Sequence, residues 1–280
     1  MTNGTLYVVA TPIGNRDDLS TRARETLASV AVIAAEDTRR TGRLLSHLGI
    51  TTPQLALHEH NEEAAAARLV AMLREGKSVA LVSDAGTPLV SDPGYRLLLQ
   101  AHGAGLPVTP VPGPSALVAA LSVAGLPTDR FCFEGFLPAR AVARQQHLSA
   151  LSRETRTLVF YEAVHRIRAF VADAAAILGA TRGAFIGREM TKLHEQCCKA
   201  ALGELLARLD DGRIPARGEF VVVVEGAPEP PPAAAVDVDR LLLELAAVLP
   251  GRRAAAVAAS VSGRRRNELY RRLLQLTAAR

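Results

Sequence analysis

Four short segments of this 280-residue chain hold residue types that could build a ligand cradle. They read Thr11-Pro12-Ile13-Gly14-Asn15, Glu36-Asp37-Thr38-Arg39-Arg40, Ser83-Asp84-Ala85-Gly86-Thr87-Pro88 and Pro112-Gly113-Pro114-Ser115-Ala116. Each follows a short apolar run. Glycine in such a loop lets backbone approach a bound molecule, and proline stiffens the loop. Other chemistries lack their residues. No GxxxxGK[ST] is present to cradle a nucleoside triphosphate, and no GxGxxG follows the first apolar run to seat a nicotinamide cofactor. His58-Glu59-His60 would put two imidazoles on one face of a strand, but no third ligand is evident, so no metal is expected. His165 and His194 stand singly, GxSxG is absent, and Ser115 has no nearby histidine.

The elements that must carry these loops follow from hydropathy. Leu6–Ala10, Val30–Ala34, Ser78–Val82 and Pro107–Val111 are predicted as buried strands, with helices at Glu62–Glu75 and Gly94–His102 between them. Strand and helix in alternation imply a mostly parallel sheet covered on both faces. In such a sheet the loops at the carboxyl ends of the strands line the ligand crevice, and four of them in succession point to one shared pocket. A second alternation follows, with strands at Phe131–Phe133, Thr157–Tyr161, Gly183–Gly187 and Glu219–Val224 and helices at Val164–Leu178 and Gly203–Asp210. It predicts a second α/β unit with a mixed sheet. The expected domains are residues 1–117 and 118–226, a Pro-rich linker at 227–236 around three consecutive prolines, and a small helical domain at 237–280. In that last part Val238–Leu249, Arg253–Ser260 and Asn267–Leu276 read as helices. Ala259, Gly263 and Leu269 fall at helix–turn–helix spacing.

Composition narrows the class. A 49% hydrophobic and 22% charged chain can bury a core, so disorder of the whole chain is excluded. No apolar run reaches the ~18 residues of a membrane helix. Met1–Thr11 shows no secretory pattern, and three cysteines, Cys132, Cys197 and Cys198, make no disulfide framework. A reducing cytoplasmic setting is therefore expected. The formal charge of +5 is uneven: positions 237–280 hold nine arginines and four acids, which is the whole excess. A neutral body with a basic tail predicts an anionic partner held by the tail.

Taken together, TPIGN, AEDTRRTG, LHEHNE, LVSDAGTPLVSDPG, PGPSA, GLPTDRFCFEGFLP and LVFYEAVHR closely resemble the ribosomal small-subunit methyltransferase I family, whose members are tetrapyrrole-methylase-like. The resemblance runs from about Leu6 to Gly226, and the GRRRNELYRRLLQL tail is similar to that family's C-terminal helical domain. It implies an α/β fold of two tetrapyrrole-methylase-like domains with S-adenosylmethionine in the cleft between them, a homodimer, and 2′-O-methylation of a cytidine in 16S rRNA. It also implies that Pro12, Ile13, Gly14, Asn15, Asp84, Ala85, Gly86, Thr87, Ser115, Ala116, Tyr161 and Glu162 contact the cofactor. Thr87 stands where the superfamily more usually has the Asp of Gly-Asp-Pro, which speaks against a tetrapyrrole substrate.

A methyl on a sulfonium is already activated, so the chain has mainly to bind and orient, and no metal is required. A ribose hydroxyl is a poor nucleophile and needs a proton acceptor. Glu189, Lys192 and Asp37 are the candidates, Lys192 only if its surroundings depress its pKa. Arg252, Arg253, Arg264, Arg265, Arg266, Arg271 and Arg272 are expected on RNA phosphates. Two alternatives are a small-molecule methyltransferase acting on a tetrapyrrole or corrinoid, and a non-enzymatic DNA-binding regulator.

Overall fold

A computed structural model describes residues 3–228 and 237–278. Residues Met1–Ala227 form one compact unit and Pro228–Arg280 a second. The expected linker therefore lies, from 229 to 236, outside the described residues.

The first sheet of the larger unit contains β1 (Leu6–Val9), β2 (Val32–Ala35), β3 (Gln54–Ala56), β4 (Val79–Val82) and β5 (Val108–Val111), with α1 (Thr21–Ser29), α2 (Thr38–Leu48), α3 (Glu62–Arg74), α4 (Tyr95–Gly103) and α5 (Ala116–Ala124) between and after them. All pairings are parallel, in the order β3-β2-β4-β1-β5. Four residues of β4 show why both faces must be covered. Val79 and Leu81 enter a cluster with Leu69, Leu73 and Leu97 from α3 and α4. Ala80 and Val82 enter another with Leu27 of α1 and Leu45 of α2. β2 starts two residues later than expected because Val30 is the C-cap of α1, a helix the apolar pattern did not reveal.

The second sheet contains β6 (Phe131–Phe136), β7 (Thr157–Ala163), β8 (Gly183–Arg188), β9 (Gln196–Ala201) and β10 (Glu219–Val224), with α6 (Ala141–Ala150), α7 (Ile167–Leu178) and α8 (Leu202–Asp210). Its order is β6-β7-β10-β8-β9, with β6 parallel to β7 and the rest antiparallel, so it is mixed. One face packs Phe160 and Val222 on Leu148, Phe170 and Leu205 from α6, α7 and α8. The other packs Val159, Phe185, Val221 and Val223 on Ala120, Leu121 and Ala124 of α5. The helix that follows the last strand of the first sheet thus covers the second sheet. The expected division between 117 and 118 falls inside α5, in its first turn.

A buried ion pair ties α6 to α7. The Arg144 guanidinium, 6% exposed, reaches Asp173 at 2.5 Å, and its Nε donates to the same carboxylate at 2.7 Å. Removing one partner of such a pair leaves an uncompensated charge and costs roughly 3–5 kcal/mol. Arg144→Ala is expected to destabilise the larger unit by that order, checked by denaturant unfolding.

In the smaller unit α9 (Val238–Val248), α10 (Gly251–Ser262) and α11 (Arg266–Ala278) bury Leu242, Ala254, Ala255, Ala258, Leu269 and Leu273 together. Gly263 ends α10 in the left-handed region (φ 70°), where glycine alone carries no Cβ penalty, and its N–H donates to Ala259 O at 3.0 Å. Small residue, tight turn and buried leucine thus meet as their spacing predicts. Asp237 caps α9, accepting from Arg240 N–H at 3.1 Å.

Candidate functional site

The four strand-end loops of the first sheet converge. Thr11, after β1, and Gly86, after β4, bridge through two backbone hydrogen bonds of 2.8 and 3.0 Å. Gly86 has φ 87°, a region open to glycine and strained for other residues. Thr87 Oγ1 donates to Pro114 O at 3.0 Å, joining the loop after β4 to the loop after β5. The N–H of Asp37, after β2, donates to Asp84 Oδ1 at 3.0 Å. From the second sheet Tyr161 crosses to the N-terminus of α5, where its hydroxyl accepts the Leu117 N–H at 3.1 Å. Its ring packs edge-on against Phe133 and Phe136, at 4.9 and 5.6 Å between centroids.

Between these parts lies a cavity of about 520 Å³. Its walls include Ile13, Glu36, Asp84, Gly86, Thr87, Asp92, Ser115 and Ala116 from the first sheet's side. Tyr161, Glu162, Met190 and Val221 come from the other. The volume is within the range of about 300–1,000 Å³ usual for small-molecule sites. A second cavity of about 250 Å³ adjoins it, walled by Pro12, Gly14, Arg16, Arg43 and Lys192 among others.

The larger cavity is acidic. Burial pushes the Glu36 carboxyl above its ordinary value, and the charge of Asp84 adds to the rise. Burial pushes Asp92 up to about 6, with a bond from Ser83 offsetting part and the charges of Glu36 and Asp84 adding. Asp84 is itself held by Arg40 at 3.2 Å. Glu162, with its side chain 1% exposed, accepts Arg166 at 2.6 Å and the Ala163 N–H at 2.8 Å on one oxygen. Its other oxygen, Oε2, is buried without a donor. A buried acceptor of that kind is costly unless a ligand supplies the hydrogen bond.

Of the residues the sequence nominates for cofactor, Ile13, Asp84, Ala85, Gly86, Thr87, Ser115, Ala116, Tyr161 and Glu162 line the larger cavity. Pro12 and Gly14 line the smaller one. Asn15 lines neither: it caps a single turn at Arg16–Asp18, and its N–H donates to Thr191 Oγ1 at 3.0 Å. Asp92, absent from the sequence-based candidates, is the cavity acid whose only sequence signal was its place inside the SDAGTPLVSDPG run.

The nominated proton acceptors are otherwise engaged. Asp37 is the N-cap of α2, and both its oxygens hold Arg39, at 2.8–3.1 Å. The Arg39 hydrogen bonds keep its carboxyl far below the usual range, and it lines neither cavity. Glu189, at φ 50°, accepts Lys192 Nζ and the Glu219 N–H, both at 2.9 Å. Burial opposes its charge, but those bonds outweigh it and lower the carboxyl. It too lines neither cavity. Lys192 bonds Glu219 at 2.7 Å as well as Glu189. Burial opposes its charge also, yet the two carboxylates raise its pKa, so the depression that a lysine base requires is not met. The ammonium instead straps the turn after β8 to β10. Gly14 lies under it, where an added Cβ would come within 2.4 Å of Lys192 Cγ. Lys192→Met is expected to lose about 1–3 kcal/mol, the cost of the largely buried Glu189 carboxylate left without its Lys192 donor, read as a lower melting temperature.

His58 and His60 occupy a turn after β3, with ring centroids 6.0 Å apart. No cluster of three potential metal ligands occurs among the described residues. In the smaller unit all seven nominated arginines are exposed. Arg272, however, is committed to Asp239 by two hydrogen bonds of 2.9 and 2.5 Å.

Two packed α/β sheets with a cleft at the strand ends define the class. The family model for tetrapyrrole (corrin/porphyrin) methylases matches residues 5–206. The fold is shared with solved structures of the methyltransferase CobJ (TM-score 0.58, 19% identity, 80% of this chain and 95% of that one). It is shared also with uroporphyrin-III C-methyltransferase from Thermus thermophilus complexed with S-adenosyl homocysteine (TM-score 0.53, 20% identity, 79% and 97%). A model described as the RsmI C-terminal HTH domain matches residues 232–277. The chain is 51% identical over 269 residues to ribosomal RNA small subunit methyltransferase I of Xylella fastidiosa strain Temecula1, covering 96% of this chain and 98% of that protein. It is 50% identical to the protein of the same name from Pseudomonas aeruginosa, covering 98% of both. The chain belongs to the ribosomal RNA small subunit methyltransferase I family. A tetrapyrrole-modifying enzyme and a DNA-binding regulator are correspondingly not favoured.

Proposed function

We propose that this protein methylates the ribose 2′-oxygen of a cytidine in 16S rRNA of the small ribosomal subunit, using S-adenosylmethionine. The observation that carries the reading is the acidic cavity walled by all four strand-end loops, in a chain about half identical to rRNA methyltransferases over nearly its whole length. When bound, S-adenosylmethionine supplies a methyl already activated by a sulfonium, and binding and orientation are left to the chain.

The residues fit that group. Burial, with neighbouring carboxylates adding, raises the Glu36 and Asp92 carboxyls, and a cationic ligand offsets the repulsion among them. The unmatched Glu162 Oε2 offers an acceptor to a hydroxyl or amino donor. Gly86 lets main chain approach closely beside Ile13. The cofactor contacts are accordingly assigned to Ile13, Asp84–Thr87, Ser115, Ala116, Tyr161 and Glu162, with Pro12, Gly14 and Asn15 shaping the first loop. Holding methyl and acceptor in line supplies roughly 7–11 kcal/mol of the barrier.

The basic helical unit delivers the RNA. Arg252, Arg253, Arg264, Arg265, Arg266 and Arg271 meet phosphates, which position the RNA without reading its sequence. Tethering through the tail raises the effective concentration of one nucleotide at the cleft. The reading includes a homodimer, taken from the family resemblance, and a cytoplasmic setting, taken from the cysteine usage. The test is transfer of labelled methyl from S-adenosylmethionine to isolated small subunits, followed by nucleoside mapping. Label in 2′-O-methylcytidine is expected, and label on a base would refute the reading.

A further inference from the structure

The acceptor hydroxyl must give up a proton, and none of the residues first nominated for it offers a free base to the larger cavity. The cavity's other acids differ in what they are bound to. Asp84 is paired with Arg40 and accepts the Asp37 N–H. Glu162 is paired with Arg166. Glu219 is paired with Lys192 and its side chain is 72% exposed. Glu36 sits at the end of β2, facing Asp84, Arg40 and Glu59. Asp92 makes no ion pair among the described residues, and what faces it is Ser83, Glu36 and Asp84 from the first sheet and Tyr161 from the second.

Its placement is unusual in backbone terms. Asp92 sits in the segment between Thr87 and Gly94, where Leu89 (φ 75°) and Ser91 (φ 70°) both adopt the left-handed region without being glycine. Each such residue costs of order 1–3 kcal/mol and is kept only where the surroundings over-determine it. They do so here from both sheets. Glu62 of α3 accepts the Gly94 and Arg96 N–H groups at 3.0 and 2.8 Å, fixing the end of the segment. At the middle, Ser91 lies against β6, its Oγ 3.1 Å from where a Cβ on Gly135 would stand. The strained loop leaves β4, touches β6 through Ser91 and returns to α4, and Asp92, next to Ser91, lines the cavity.

We propose that the Asp92 carboxylate is the proton acceptor of the methyl transfer. The proposal rests on the function given above. As the acceptor oxygen forms its bond to the methyl carbon, the carbon–sulfur bond breaks and its electron pair stays on sulfur. The hydroxyl proton passes to Asp92 and from there to solvent. A carboxyl pushed up to about 6 by burial, with no cationic side chain paired to it, has a basicity suited to accepting a proton near neutral pH.

The test compares Asp92→Asn with the unaltered protein at saturating S-adenosylmethionine, using labelled transfer to small subunits and titration calorimetry with S-adenosylhomocysteine. That product lacks the sulfonium charge, so its affinity reports the shape of the site and not the missing carboxylate. The expected result is turnover lower by roughly 10²–10⁴-fold, with S-adenosylhomocysteine affinity within about threefold. In the unaltered protein kcat/KM for S-adenosylmethionine should rise with pH to a plateau, with a midpoint near 6, and the variant should lack that limb. Turnover within about threefold of the unaltered protein overturns the proposal. If the variant loses S-adenosylhomocysteine binding, Asp92→Glu decides. Activity partly restored with binding restored supports a carboxylate base, whereas binding restored with activity still absent overturns it. Absence of transfer by the unaltered protein would instead refute the function itself.

Discussion

Gly86→Val should lower affinity for S-adenosylmethionine on the order of 100-fold, or about 2.7 kcal/mol, in titration calorimetry. Two causes add. The residue sits at φ 87°, where a β-branched side chain is a genuine outlier, and the strain costs roughly 1–3 kcal/mol. The added Cβ would also lie 3.3 Å from Ile13 Cγ2, and valine's methyls reach further. Relief requires Ile13 to give way, either by rotating its side chain, which lines the cavity, or by moving a loop tied to Gly86 through the two backbone bonds with Thr11. Either way the cavity wall is disturbed where β1 and β4 end. Neither Thr11 nor Gly86 belongs to a core cluster, and Ile13 only packs at the edge of one, so cooperative unfolding should persist. An affinity within about threefold of the original would show that these loops do not form the cofactor cradle.

The second large effect is expected in the tail. Reversing Arg264, Arg265 and Arg266 to Glu should weaken RNA binding by roughly 10²-fold or more near 0.1 M salt, since each phosphate contact on a single strand contributes a slope near −0.7 in log K against log salt. Three lost contacts should flatten that slope by about 2. These side chains are exposed at the turn into α11, so the helical core of Leu242, Ala258, Leu269 and Leu273 is untouched. Cofactor binding by the larger unit should not change. Arg272 makes a useful contrast: already neutralised by Asp239, its substitution should cost melting temperature more than RNA affinity. Unaltered salt dependence in the triple variant would remove the tail from RNA delivery.

Much of the framework is legible in the sequence. The buried strands of the first sheet are continuous apolar runs because helices cover both faces, and Gly and Pro mark the ends of the runs of β1, β4 and β5, while that of β2 ends at the charged Glu36-Asp37 pair. Two of the four edge strands, β3 and β9, are not legible, whereas β5 and β6 at the opposite edges are. β3 has three residues, and β9 reads Gln-Cys-Cys-Lys-Ala-Ala, with neither an apolar run nor alternation, because a partner on one side alone demands little of its composition. β6 was read as three residues and continues to Phe136 through a register shift at Gly135 (φ 61°), a bulge that a period of two cannot anticipate.

Residue types and their local order determined the loops that form the cleft, the basic tail with its glycine turn, and, through a run such as SDAGTPLVSDPG, the family. Tertiary structure alone decided which charged groups are free to act. Asp37, Glu189 and Lys192 have the chemistry of a base in one dimension, but in three their oxygens and ammonium are consumed by Arg39, by each other and by Glu219. Asp92 carries no signal in the sequence beyond its place in the SDAGTPLVSDPG run, and becomes a cavity acid because a strained loop holds it against the second sheet. The reason is physical: a side chain's availability depends on partners that are far away in the chain and on the water that folding removes, and neither is written in its neighbours.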